Sequence, residues 1–173
     1  SEWKITNVPF ENKFTDVTEK DWFHDVVLEL AASGVVNGMT ETTFEPQGTL
    51  TRAEFATMLY RVSYAPVVTG ESTYSDVKTG DWYYNAVVWA TEAGVVNGMG
   101  DGTFAPNDNI TRQEMATMLY RLAKAEKVEE DKLASFPDAA SVADWAKDAM
   151  NWAVSTEIVN GSTHDDKVNY LDP

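Results

Sequence analysis

The stretch DVTEKDWFHDVVLELAASGVVNGMTETTFEPQGTLTRAEFATMLYRV, residues 16–62, returns as DVKTGDWYYNAVVWATEAGVVNGMGDGTFAPNDNITRQEMATMLYRL, residues 76–122. Asp16, Trp22, Gly38 and Arg52 recur 60 positions on as Asp76, Trp82, Gly98 and Arg112. A weaker third copy opens at Phe136-Pro137-Asp138 and runs to Pro173. Repetition at this period means that one structural unit was duplicated and stacked. A function must then make sense of several similar surfaces rather than one unique site.

Within the first unit, Trp22, Val26, Val27, Leu30 and Ala31 fall at helical spacing, which predicts a helix from Trp22 to Ser33 with that face buried. Gly34 stands where a helix ends in a left-handed residue. Val35-Val36-Asn37-Gly38 is an apolar pair closed by a turn, and residues 39–50 form a polar loop punctuated by Phe44 and Pro46. Thr51-Arg52-Ala53-Glu54 is a capping box that opens a second helix. Phe55, Met58, Leu59 and Val62 form its inner stripe. The second unit repeats this, from Trp82 through Val95-Val96-Asn97-Gly98 to the box Thr111-Arg112-Gln113-Glu114 and the stripe Met115, Met118, Leu119 and Leu122. The third keeps Trp145, Ala149, Met150, Ala153, Asn160-Gly161 and Leu171-Asp172-Pro173, but its capping box would fall beyond Pro173.

The expected fold is all-α, built of tandem helix-loop-helix repeats. Its boundaries are a lead-in at 1–13, repeat one at 14–65, repeat two at 74–125 and an incomplete repeat three at 136–173. Residues 65–70 read as a flexible or extended link, and the charged run 126–132 as solvated.

Thirteen Lys and Arg stand against 28 Asp and Glu, a formal charge of −15. Such a field repels nucleic acid and anionic membranes. An anionic ligand would need a local cationic pocket, and few candidates exist. There is no cysteine, hence no disulfide and no thiolate metal site. No apolar run is long enough to cross a bilayer. His24 has no counterpart in the other repeats, His164 lies in a polar loop, and no nucleophile, zinc or phosphate-loop motif occurs. Neither catalysis nor a cofactor is expected. The acidic loop at 100–109 has the look of a calcium turn, but its spacing does not fit an EF-hand, so no metal site is assigned.

The ordered set Phe14-Thr15-Asp16, Trp22, Gly34 to Gly38, Phe44-Glu45-Pro46 and Leu50-Thr51-Arg52-Ala53-Glu54 closely resembles the S-layer homology repeat. The second copy matches through Tyr74-Ser75-Asp76, Trp82, Gly94 to Gly98, Phe104-Ala105-Pro106 and Ile110-Thr111-Arg112-Gln113-Glu114. The resemblance covers residues 14–173 and implies a pseudo-threefold module at the bacterial cell surface. Such modules hold a protein non-covalently to the wall or S-layer. Their usual ligand is a secondary cell-wall polysaccharide, often ending in a carboxylate-bearing pyruvate ketal, bound in grooves between repeats. Two departures are Gln113, where the first box has Ala, and the missing third box. The competing expectation is a structural module that self-associates through apolar surface left open by the third repeat.

Each candidate residue carries two readings. Arg52 and Arg112 sit in the first turn of a helix, where a cation is disfavoured by about 0.3–1 kcal/mol. They either serve a guest carboxylate together with the helix amides, or pair with an internal acid such as Asp16 or Asp76. Thr51, Glu54, Thr111 and Glu114 are caps that can border a pocket. Trp22 and Trp82, with Trp145, are core anchors or sugar-stacking faces. Trp89 and Trp152 fall near the outer side and can wedge between repeats. Gly38 and Gly98 meet a positive-φ requirement or let a sugar approach closely, with Met39 and Met99 as groove walls. Asp16 and Asp76 are helix-entry turns or contacts to an arginine or a sugar hydroxyl.

Overall fold

Each full repeat folds into two helices. The structure, a computed structural model, describes residues 10–164 and 168–173, so residues 1–9 of the expected lead-in lie outside the described residues. The helices are α1 (His24–Ala32), α2 (Arg52–Val62), α3 (Tyr84–Glu92), α4 (Arg112–Leu122) and α5 (Lys147–Ser155). Single 3-10 turns at Leu133–Ser135, Ala139–Ser141 and Asp144–Ala146 lead into α5. In the third repeat the loop carries a two-residue antiparallel pair, β1 (Ser162–Thr163) with β2 (Asn169–Tyr170).

The capping boxes are complete. Thr51 and Thr111 each accept from the backbone amide of Glu54 and Glu114, and those glutamates accept from the threonine amides at 2.8 Å. This satisfies two otherwise orphaned donors at each helix start.

The first helices begin two residues later than the apolar spacing predicts. Asp21 accepts from the Thr18 amide (2.7 Å) and Asp81 from the Lys78 amide (2.7 Å), so a side-chain-closed turn precedes each helix. Trp22 and Trp82 sit in that turn and miss the buried face. The expected core tryptophans are exposed, at 90 % for Trp22, 64 % for Trp82 and 57 % for Trp145. The next residue turns inward instead, and Tyr83 is buried. Each tryptophan stands edge-on to that neighbour, Trp22 to Phe23 at 81° and Trp82 to Tyr83 at 82°.

Helices pack on helices between repeats, while a small core of Phe14, Val17 and Val27 lies within repeat one. Helix α2 lies on α3, and α4 on α5. One core joins Ala53, Ala56 and Leu59 of α2 to Val87, Ala90, Val95 and Phe104 of repeat two. A second joins Ala116 of α4 to Ala146, Met150, Ala153 and Leu171 of repeat three. The innermost stripe is therefore alanine-rich, and Val62, expected inside, is half exposed. Alanines let the helix axes close up, and a bulkier residue at Ala56 would cost about 1–3 kcal/mol through overpacking. Trp89 meets Tyr60 at a tilt and Trp152 meets Tyr120 edge-on across these joints, with ring centroids 5.6 and 5.7 Å apart.

One aspartate closes each repeat on itself. Asp16 accepts from the amides of Phe44 (2.8 Å) and Glu45 (2.7 Å). Asp76 does the same for Phe104 and Ala105, and Asp138 for Leu171 and Asp172. These charge-assisted bonds hold the Asp16 carboxyl below its ordinary range, the Phe44 amide contributing most. The links are pinned as well. Buried Asn151 accepts from the Lys132 amide and donates to the carbonyls of Val128 and Glu130, so the 126–132 backbone is anchored rather than merely solvated.

Two clefts between repeats as the candidate functional site

The stacking opens one cleft at each joint, and the two are pseudo-equivalent. Cleft one, about 650 Å³, is lined by Asn37, Gly38, Met39, Glu54, Met58 and Arg61 of repeat one and by Trp82 of repeat two. Cleft two, about 380 Å³, is lined by Asn97, Gly98, Met99, Glu114, Met118 and Arg121 of repeat two and by Trp145 of repeat three. In each, a tryptophan from the following repeat faces the helix-turn surface of the preceding one. Such a ring, anchored at one edge and open on its face, suits the C–H face of a pyranose.

Glycine is required on the floor for steric reasons. A Cβ at Gly38 would meet Phe14 Cε1 and the Thr43 carbonyl, each at 2.5 Å. At Gly98 it would strike the Tyr74 ring, and there φ is also +68°. Gly38 does not take a positive φ, so close approach is the shared reason and left-handed backbone is not.

The two box arginines are placed very differently. Arg52 is buried, its Nε donating to the Phe104 carbonyl (2.8 Å) and its Nη1 to Glu114 of α4. Its guanidinium also lies 4.9 Å from the Phe104 ring centroid. The α2 tip is closed as well, since the Arg52 and Ala53 amides donate to the carbonyls of Asp108 and Pro106, both at 3.0 Å. The expected carboxylate pocket at this tip is thus filled from within, by repeat two. The internal acid is Glu114, not Asp16 or Asp76, whose oxygens serve backbone amides. Arg52 still touches cleft two as part of its wall.

Arg112 is half-buried and lines neither cleft. Among the described residues it forms no hydrogen bond or ion pair, and Asp172 lies near enough to feel its charge. Gln113, where the first box has Ala, accepts from the Ala143 amide (2.9 Å) and ties α4 to repeat three.

Of the expected site residues, cleft one gathers Gly38, Met39, Glu54 and Trp82, and cleft two gathers Arg52, Gly98, Met99 and Glu114. Asp16, Asp76, Trp22, Arg112, Thr51 and Thr111 line neither. Sequence reasoning missed Arg61, Arg121, Asn37 and Asn97 as wall residues, while Trp145, read as a core anchor or a sugar-stacking face, stands in the wall of cleft two. The signal was present, because Arg61 and Asn37 recur at the same 60-residue step as the box itself. Arg61 donates to the Val35 carbonyl (3.2 Å) and Arg121 to Val95 (3.4 Å). With its amide turned to suit both neighbours, Asn97 accepts from Arg121 Nη2 (3.2 Å) and donates to the Val96 carbonyl (3.0 Å). Both arginines stand in the last helical turn, where a cation is favoured.

No group of three metal-ligating side chains occurs among the described residues. The Asp101 carboxylate in the acidic loop accepts from Thr103. In the third repeat Ser162 and His164 both bond Asp172, the serine to the carboxylate rather than the imidazole, which is not a nucleophile–base arrangement. No described helix is long and apolar enough to cross a membrane.

A model of the S-layer homology domain matches residues 13–56, 73–116 and 135–165. An amylopullulanase of Thermoanaerobacterium thermosulfurigenes is 39 % identical over 155 residues, covering 88 % of this chain and 8 % of that protein. Exoglucanase XynX of Acetivibrio thermocellus is 39 % identical over 151 residues, 86 % of this chain and 14 % of that protein. The surface-layer 125 kDa protein of Lysinibacillus sphaericus is 34 % identical over 145 residues, 84 % of this chain and 12 % of that protein. The chain thus spans a small fraction of the length of these relatives, and the enzyme-named ones are matched only through their repeats.

Proposed function

Because the chain belongs to the S-layer homology family, a family of cell-surface, wall-associated anchoring domains, we propose that it retains a larger protein at the cell wall by binding an anionic polysaccharide in its two inter-repeat clefts. The module itself is non-catalytic. The ligand is a secondary wall polymer whose terminal sugar carries a carboxylate, as in a pyruvate ketal. Trp82 and Trp145 stack on pyranose rings, Gly38 and Gly98 let the ring approach the backbone, and Met39 and Met99 form the opposing walls. Arg61 and Arg121 supply the cations, with Arg52 beneath cleft two.

The observation that carries this reading is the recurrence of one set of wall residues at both joints, an exposed tryptophan, an arginine and a glycine lining the same cleft. A strongly acidic protein has little general attraction for an acidic polymer, so affinity rests on these few cations. The test is co-sedimentation of the module with purified wall polymer, native and stripped of pyruvyl groups. Trp82→Ala with Trp145→Ala should lower retention by about tenfold or more while far-UV circular dichroism stays unchanged, the usual cost of losing aromatic anchors. Retention equal to wild type would remove the clefts from the mechanism.

Self-association has one observation in its favour. Among the described residues no helix covers α1 as α2 covers α3 and α4 covers α5, and Val26 is 55 % exposed where its counterparts Ala86 and Ala149 are 3 %. The open surface thus lies on the first repeat, not only the third. Sedimentation that depends on concentration, abolished by Val26→Glu, would select this role.

A further inference from the structure

The two clefts share equivalent wall residues but not the sign of their charge. Cleft two has one carboxylate, Glu114, against two guanidinia, Arg52 and Arg121. Cleft one has two carboxylates, Glu45 and Glu54, against Arg61 alone. Two sequence differences cause this. Glu45 faces cleft one at the position that Ala105 fills in repeat two, and both residues adopt the same left-handed backbone, φ +62° and +55°. Glu54 and Glu114 are equivalent caps, but only Glu114 receives a buried arginine from the preceding repeat. Among the described residues Glu54 has no cationic partner, and its carboxylate serves Thr51 only.

We infer that the clefts sort the polymer by charge: cleft two takes the carboxylate-bearing terminal sugar, and cleft one takes an uncharged pyranose further along the chain. This rests on the anchoring reading above and assigns its charge recognition to one joint. Arg52 acts here as a positioning residue. Its ion pair neutralises Glu114, which leaves Arg121, held by Asn97 and the Val95 carbonyl, free to offer its charge to a guest. In cleft one the same guest would meet two carboxylates against the single guanidinium of Arg61, and like charges disfavour association.

The experiment uses two probes, a methyl hexopyranoside bearing a 4,6-pyruvate ketal and the same glycoside without it. The reporters are the indole N–H resonances of Trp82 and Trp145, one per cleft, assigned through Trp→Phe variants. The ketal sugar should shift the Trp145 signal and bind there about tenfold tighter than at Trp82, a difference within reach of one or two partly screened charge contacts. Arg121→Gln should erase that preference. Glu45→Ala with Glu54→Gln should bring the Trp82 signal into play with the ketal sugar, because Ala is the residue of repeat two and Gln still caps the helix. The neutral glycoside should favour neither cleft by that margin. Equal response of both indoles to the ketal sugar in the unmodified chain overturns the charge sorting and leaves anchoring intact. No response of either indole to either probe, together with no retention on wall polymer, overturns both.

Discussion

Arg52 and Arg112 open equivalent helices inside the same Thr-Arg-x-Glu box, yet truncating them should have very different effects. Arg52→Ala removes one partner of a buried ion pair and strands Glu114, a change that costs about 3–5 kcal/mol when the remaining charge is fully enclosed. The Glu114 side chain keeps 18 % of its surface, so water relieves part of that penalty and the lower end applies. The Phe104 carbonyl also loses its Nε donor, although Phe104 is fully buried. A net loss of about 3 kcal/mol corresponds, for a chain of this length, to a fall in Tm of about 6–12 °C. Arg112→Ala breaks no bond among the described residues and removes a cation from a positively polarised helix start. Its effect should stay within about 0.5 kcal/mol, or be slightly stabilising. Urea unfolding followed by far-UV circular dichroism measures both, with the m-value as a check that the unfolding reaction is unchanged. In a double-mutant cycle, Arg52→Ala with Glu114→Ala should destabilise by less than the sum of the single changes. Equal midpoint shifts for the two arginine variants would refute the assignment of Arg52 as an inter-repeat tie.

Three further outcomes follow from the same geometry. Gly98→Ala places a Cβ against the Tyr74 ring and the Thr103 carbonyl at φ +68°, whereas Gly34→Ala meets nothing within 4 Å at φ +74°. The first should cost about 3 kcal/mol or more and the second about 1–2 kcal/mol, read from denaturation midpoints. Asp16 binds amides in its charged form and has a depressed carboxyl pKa, so its stabilisation is complete above the ordinary value of 3.8 and is lost as pH falls through the lower folded value. Thermal melts between neutral and strongly acid pH should therefore show a shallower acid decline for Asp16→Asn than for the native chain. Gln113→Ala leaves the Ala143 amide without its acceptor and should cost about 1 kcal/mol by urea titration.

Local chemistry was legible in the sequence and cross-repeat chemistry was not. The capping boxes at Thr51 and Thr111 and the helix stops at Gly34 and Gly94 depend on residues a few positions apart, and each forms as read. Helical phase put Trp89 and Trp152 near the outer side of their helices and left open the wedge between repeats, which is where the stacking places them. Trp22 and Trp82 were misplaced because apolar spacing ignores the turn that Asp21 and Asp81 build in front of the helix. The partner of Arg52 stands in another repeat, and nothing in either box announces that one guanidinium is buried while its twin is not. The cleft arginines Arg61 and Arg121 stand in the last turns of their helices, and their place in a cleft emerges only when the stacking brings a tryptophan of the following repeat beside each. The difference between Glu45 and Ala105 gained meaning only when their surroundings were known.

The carbonyls that finish the tip of α2 belong to Pro106 and Asp108, more than fifty residues downstream. A nascent chain lengthening by about 5–20 residues per second must then wait on the order of 3–10 s between making this helix and completing it. During that interval the first repeat has its own small core around Phe14, Val17 and Val27 but lacks the acceptors that finish α2 and the partner of Arg52. Rigidity should arrive late and nearly all at once, when the second copy closes over the first.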